Sequence, residues 1–108
     1  MNLSNNKAQM RKGVLEYCTL LILKNEDCYS TDILEKLKSA ELIVVEGTLY
    51  PLLTRLKNME LLSYRWEESS QGPPRKYYSL TAKGEEALKE LDRSWNELVE
   101  SINTLKKY

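Results

Sequence analysis

The stretch LLSYRWEESSQGPPRKYYSL, residues 61–80, decides how this chain is to be read. Leu62, Tyr64 and Trp66 alternate with polar residues, and Tyr78 and Leu80 do the same beyond SSQGPP. A period of two marks a half-buried strand, because successive side chains point to opposite faces. The segment therefore predicts a β-hairpin with SSQGPP as its connection. Arg75 and Lys76 follow directly on a stiff Gly-Pro-Pro turn. Of Tyr77 and Tyr78, one ring should pack inward while the other faces out.

Helical patterns flank the hairpin. In TLYPLLTRLKNM, residues 48–59, Leu49, Leu52, Leu53, Leu56 and Met59 keep helical spacing. Pro51 lacks an N–H and is tolerable only near a first turn, so this helix should start close to Gly47 or carry a local irregularity. A first helix is expected over residues 7–24 and is apolar on two sides. Met10, Val14, Tyr17 and Leu21 form one stripe, and Leu15, Cys18 and Ile22 another. Between them a short helix is expected, with Ser30 as N-cap, Asp32 in its first turn, and Ile33, Leu34 and Leu37 facing inward. Thr81 should cap a last helix running from 82 to 106.

The order helix, helix, helix, strand, strand, helix contains the parts of a winged helix. The expected fold is mainly α with a small β-hairpin. Residues 1–81 form a winged helix-turn-helix and residues 82–108 a C-terminal dimerisation helix, packed as one compact unit. Length agrees with a single domain, at 108 residues.

In the last helix Leu88, Leu91, Trp95, Leu98, Ile102 and Leu105 recur at spacings of three and four. That is an a/d heptad seam, and a chain this small has little left to cover it. The second apolar side of the first helix and the last helix of another copy can both cover it, and a homodimer using both is the expectation. Trp95 lies mid-stripe, where an indole can anchor the seam, stack on its symmetry mate or hold a planar guest.

Composition excludes several classes. The chain has no histidine, the commonest general base, and only two separated cysteines, Cys18 and Cys28. No metal centre or catalytic motif is expected, nor any cofactor, and the chain does not read as an enzyme. The thiols read as core residues. No apolar run is long enough to span a bilayer and no signal peptide precedes the first charges, so a cytoplasmic location is expected.

Sixteen cations balance sixteen acids, but unevenly. Residues 1–13 carry Lys7, Arg11 and Lys12 and no acid, and residues 46–84 carry six cations against four acids. Residues 14–45 have three cations against six acids, and residues 85–108 four against six. Local field rather than total charge attracts a polyanion.

The stretch EGTLYPLLTRL, residues 46–56, resembles the recognition-helix signature of PadR-type transcriptional regulators, and SQGPPRKYYSLTAKG, residues 70–84, resembles their wing and post-wing signature. The likeness covers nearly the whole chain, and the short last helix resembles the compact, multidrug-sensing branch. It implies a homodimeric repressor bound to double-stranded DNA and released by a planar aromatic or cationic small molecule. The implied pocket joins Met10, Val14, Tyr17 and Leu21 to Leu88, Leu91, Asp92 and Trp95. The chain departs from the pattern at Glu60, where the family usually has glycine. Tyr17 is also bulky for a pocket wall, and an inward ring would close it.

On this reading Thr48, Tyr50, Thr54, Arg55 and Asn58 face the major groove, where hydroxyls and amides bond phosphates or base edges and arginine pairs with guanine. Arg75 and Lys76 meet the backbone from the wing, and Lys7, Arg11 and Lys12 add phosphate contacts. Two rivals are a regulator with a filled dimer seam and a winged-helix module that binds protein.

Overall fold

A computed structural model describes residues 3–70 and 72–108. The elements are α1 (Leu3–Gly13), α2 (Leu15–Asn25), β1 (Cys28–Tyr29), α3 (Ser30–Ser39), α4 (Glu46–Asn58), β2 (Leu62–Ser69), β3 (Gly72–Leu80) and α5 (Ala82–Lys106). The three strands form an antiparallel sheet in the order β1-β3-β2. Tyr78 lies between Cys28 and Tyr64, and Tyr77 between Tyr29 and Arg65. Paired residues share a face, so the pleat turns Cys28 and Tyr78 into the core and puts Tyr29, Arg65 and Tyr77 on the other side. Leu20, Ile33, Leu37, Leu49, Leu53, Leu56 and Leu62 fill the space between α2, α3, α4 and the sheet. Tyr78 is the inward ring of the tyrosine pair, as the alternation predicts.

The single helix expected over residues 7–24 is two helices. At the break the Val14 N–H donates to the Arg11 carbonyl at 3.2 Å, a bond three residues back, and Val14 sits at φ −105°, ψ 2°. Its carbonyl then accepts from the Cys18 N–H at 2.9 Å and starts α2. Gly13 is the local cause, since glycine gives up most backbone freedom in a helix. Met10 therefore sits on a different helix from Tyr17 and Leu21, and it is exposed. The N-cap of α3 is Tyr29, one residue before Ser30; its N–H donates to the Asp32 carboxylate at 3.0 Å. Met59 stands at the α4 C-cap and is exposed, outside the buried stripe.

Pro51 lies inside α4, which begins at Glu46. The carbonyl that loses its donor is that of Gly47, and both residues are exposed, so water can take the missing place. The prolines of the hairpin are not in its turn either. Pro73 and Pro74 are extended at the start of β3, where they form a bulge, two residues against Glu68 alone in β2. A bulge tolerates residues without an N–H. Gln71 of the expected SSQGPP connection lies outside the described residues.

Two helices end in the same way. After α4, the Leu61 N–H donates to the Leu56 carbonyl at 3.0 Å and the Glu60 N–H to that of Lys57 at 2.9 Å, with Glu60 at φ 64°. After α3, Leu42 donates to Leu37 at 2.8 Å and Glu41 to Lys38 at 2.9 Å, with Glu41 at φ 62°. These are Schellman ends, whose left-handed position favours glycine. Glu60 takes that conformation regardless, so the turn forms without a glycine there.

The chain then locks onto this corner. The Thr81 N–H donates to the Leu61 carbonyl at 3.1 Å, and the Thr81 hydroxyl donates to the Glu60 carbonyl at 2.7 Å. The same hydroxyl accepts from the Gly84 N–H at 2.9 Å, capping α5 as its sequence predicts. Gly84 is buried so tightly that a Cβ would overlap the Leu61 carbonyl oxygen and approach Leu80 Cδ1 to 2.6 Å.

Gly84→Ala is therefore expected to destabilise the protein by about 2 kcal/mol or more, because backbone cannot move aside as a flexible side chain can. Glu60→Gly should stabilise it by about 1 kcal/mol by relieving the left-handed strain. Urea unfolding at equal protein concentration measures both.

Candidate nucleic-acid interface

The buried stripe of α4 dictates what its other side shows. With Leu49, Leu52, Leu53 and Leu56 turned inward, Thr48, Tyr50, Thr54, Arg55 and Asn58 are all exposed. Tyr50, Thr54, Arg55 and Asn58 border one open depression, and Thr48 and Arg55 border a second with Lys12. The fold thus brings the end of α1 beside the start of α4. Arg11 borders an adjoining cleft with Lys12 and Thr48, while Lys7 is exposed about one turn earlier on α1. Arg55 is not isolated: its guanidinium is paired with Glu16 of α2.

The wing cations point to opposite faces of β3. Arg75 lies over the Tyr29 ring at 4.0 Å from its centroid and donates to the Thr31 hydroxyl at 2.5 Å. Tyr29 stacks on Tyr77 at 4.7 Å, and Arg65 covers Tyr77 at 4.5 Å. On the other face Lys76 lies 4.6 Å from the Tyr64 centroid and 5.7 Å from that of Trp66. Each cation is held over an aromatic ring, so its position costs less entropy to fix on docking.

Some residues at this surface carried no functional signal in the sequence. Ser30 and Thr31 read only as the start of α3, yet Ser30 reaches the Tyr50 hydroxyl at 3.5 Å and Thr31 holds Arg75. These contacts join α3, α4 and the wing. Trp66 fits the strand alternation but is 62% exposed, because the distal hairpin extends past the core. No spacing rule links Glu16 to Arg55, which are 39 residues apart.

Residues 19–90 match the transcriptional regulator PadR-like family. The chain belongs to that family. A solved PadR-like transcription factor from Bacteroides fragilis is 66% identical, covering 94% of this chain and 98% of its own, with a TM-score of 0.80. A PadR-like transcriptional regulator from Bacillus cereus is 42% identical over 90% of this chain and 95% of its own, with a TM-score of 0.79. A PadR family regulator from Eggerthella lenta is 31% identical over 95% of this chain and 87% of its own, with a TM-score of 0.84. PadR-like proteins are transcription regulators rather than enzymes, and the four helices α1–α4, the three-stranded sheet and the final helix α5 described above are their winged-helix fold. No described helix is long and apolar enough to cross a membrane.

The residues of this PadR-like chain expected around the small-molecule pocket divide into two groups. Tyr17 and Leu21 on α2 lie beside α5, where the Tyr17 hydroxyl donates to the Asp92 carboxylate. The Tyr17 ring sits 6.3 Å from that of Trp95, tilted by 42°. Leu88 is buried at 2% exposure and Leu91 is half-buried against the core. Val14 is half-buried at the α1–α2 break, and Met10 is exposed on α1. Tyr17 does turn toward α5 and occupies the space beside Trp95. Beyond Asp92, the stripe Trp95, Leu98, Ile102 and Leu105 is exposed, reaching 69% at Leu105.

The Asp92 hydrogen bond, then burial, pushes the Tyr17 phenol up to about 12. Burial likewise raises the Cys18 and Cys28 thiols, which leaves both protonated core groups at neutral pH. A phenol whose folded value is raised contributes stability below its unfolded value, near pH 10, and loses it as pH climbs through about 12. Wild type should therefore exceed Tyr17→Phe in stability by its full margin at pH 8 and by less at pH 11. Paired urea titrations at the two pH values check this.

Proposed function

We propose that this PadR-like regulator is a repressor that binds a palindromic DNA operator as a homodimer in the cytoplasm. Residues 1–81 serve as the DNA-binding unit and residues 82–108 as the dimerisation helix. The observation that carries the reading is the convergence of Tyr50, Thr54, Arg55 and Asn58 on one open face of α4. Lys12 borders the start of that helix, and Arg75 and Lys76 lie on the wing. An α-helix presenting hydroxyl, amide and guanidinium groups fits the donor and acceptor pattern of a major groove. Arg75 and Lys76 supply backbone contacts from the wing, and Lys7, Arg11 and Lys12 from α1.

The dimer rests on α5. Trp95, Leu98, Ile102 and Leu105 form an exposed stripe with heptad spacing, which a second copy of the same helix would cover. A planar aromatic effector would enter against Trp95, 40% of which is open. The contact of Tyr17 with Asp92 and its ring beside Trp95 favour a second reading, in which the seam is filled and the regulator senses no small molecule.

Mobility shift against the protein's own upstream region tests the DNA reading. A palindromic fragment is expected to bind at least tenfold more tightly than random DNA, and Arg55→Ala should reduce that preference by about tenfold. Equal binding of palindrome and random DNA at moderate salt would refute it. A paired Leu98→Glu, Ile102→Glu variant should run as a monomer in light scattering, since two carboxylates would be buried unpaired at the seam. Titration with a planar cationic dye separates the effector readings: quenching of Trp95 that disappears in Trp95→Ala marks an open pocket, and unchanged emission marks a filled one.

A further inference from the structure

Arg55 is held from behind. Its Nε donates to Glu16 Oε1 at 2.9 Å, and its Nη2 donates to the same oxygen. Glu16 lies in the first turn of α2. The pair closes one wall of a notch of about 540 Å³ bordered also by Lys12, Gly47 and Thr48. A fixed carboxylate thus stands among the groups assigned above to DNA.

We propose that Glu16 is a specificity-setting residue of the DNA interface. It withholds Arg55 from non-specific phosphate contacts and yields it to a guanine edge in the correct register. The inference rests on the reading of α4 as the helix that enters the groove. Relative strength decides the exchange. The side chains of Arg55 and Glu16 are 57% and 42% exposed, and an exposed ion pair shifts an equilibrium by about fivefold at most. A single phosphate contact offers Arg55 little more than that pair already does. A bidentate guanine pair discriminates by about five- to a hundredfold, enough to displace the carboxylate. Glu16 also repels any backbone that approaches without the base contact, because like charges at that range are unfavourable.

The test is fluorescence anisotropy with the palindromic duplex and a scrambled duplex of the same composition, over a range of salt. Glu16→Gln is expected to tighten the palindrome by about fivefold at most, the cost of breaking the ion pair, and the scrambled duplex by about tenfold or more, because there the repulsion is lost as well, so selectivity falls. Its salt slope on scrambled DNA should steepen by about one unit, for the one cation released to phosphate. Glu16→Asp keeps the charge but shortens the reach, and should also lose selectivity. In an Arg55→Ala background neither substitution should change the ratio.

Equal tightening on both duplexes that persists in Arg55→Ala would show bulk charge at work and overturn the inference. So would an unchanged ratio in Glu16→Gln while wild type still discriminates, an outcome that leaves the DNA reading standing. Wild type that does not discriminate at all removes that reading and this inference with it.

Discussion

The Leu61 carbonyl is the point on which the architecture turns. It receives the Thr81 N–H and hydroxyl and lies against the Cα of Gly84, so three elements meet there at close backbone approach. The end of α4 reaches it through a left-handed turn, β2 starts from it, and α5 begins against it. Close backbone approach of this kind leaves little freedom in the angle between α4 and α5. The helix that shows polar groups to solvent and the helix that shows an apolar stripe are therefore fixed to one corner. Thr81 completes the corner by satisfying Gly84 and the Glu60 carbonyl with one hydroxyl.

The helix α2 works on three sides at once. Leu20 and Leu23 bury into the core, Glu16 pairs with Arg55 of α4, and Tyr17 bonds Asp92 of α5. Adjacent residues of a helix point about 100° apart, so Glu16 and Tyr17 naturally serve different neighbours. The break at Val14 makes this possible. A continuous helix over residues 7–24 would have carried Met10 and Tyr17 on one stripe, whereas the break leaves α1 free to lie beside the start of α4.

Much of the fold is legible in sequence because periodicity survives wherever an element has one buried face. The leucines of α4, the alternation of β2 and β3, and the Thr81 cap are such signals, and each element forms close to its expected bounds. Signals fail where the decision is not local. Two residues make β1, too few for any period, and they become a strand only by pairing with Tyr77 and Tyr78 some fifty positions on. Pro73 and Pro74 suggest a turn by residue type, but they extend as a bulge in β3, two residues against Glu68 alone in β2. The candidate interface divides in the same way. The exposed face of α4 follows from its buried face, whereas the placement of Arg75 on Tyr29 and Thr31 needs the wing and α3 to meet.

By itself the sequence determined the order of elements apart from β1 and the break at Val14, the inward stripe of α4, the heptad face of α5 and, through its motifs, membership of the PadR-like family. Those are properties of residue type and spacing, and local physics expresses them. Only the tertiary structure decided which polar groups are engaged. Glu16 meets Arg55, Tyr17 meets Asp92, and each wing cation finds an aromatic ring because packed helices and strands bring distant residues within hydrogen-bond or ring-contact range. An ion pair between residues 39 positions apart leaves no trace in spacing, since its geometry belongs to the packing angle of two helices and not to either helix alone.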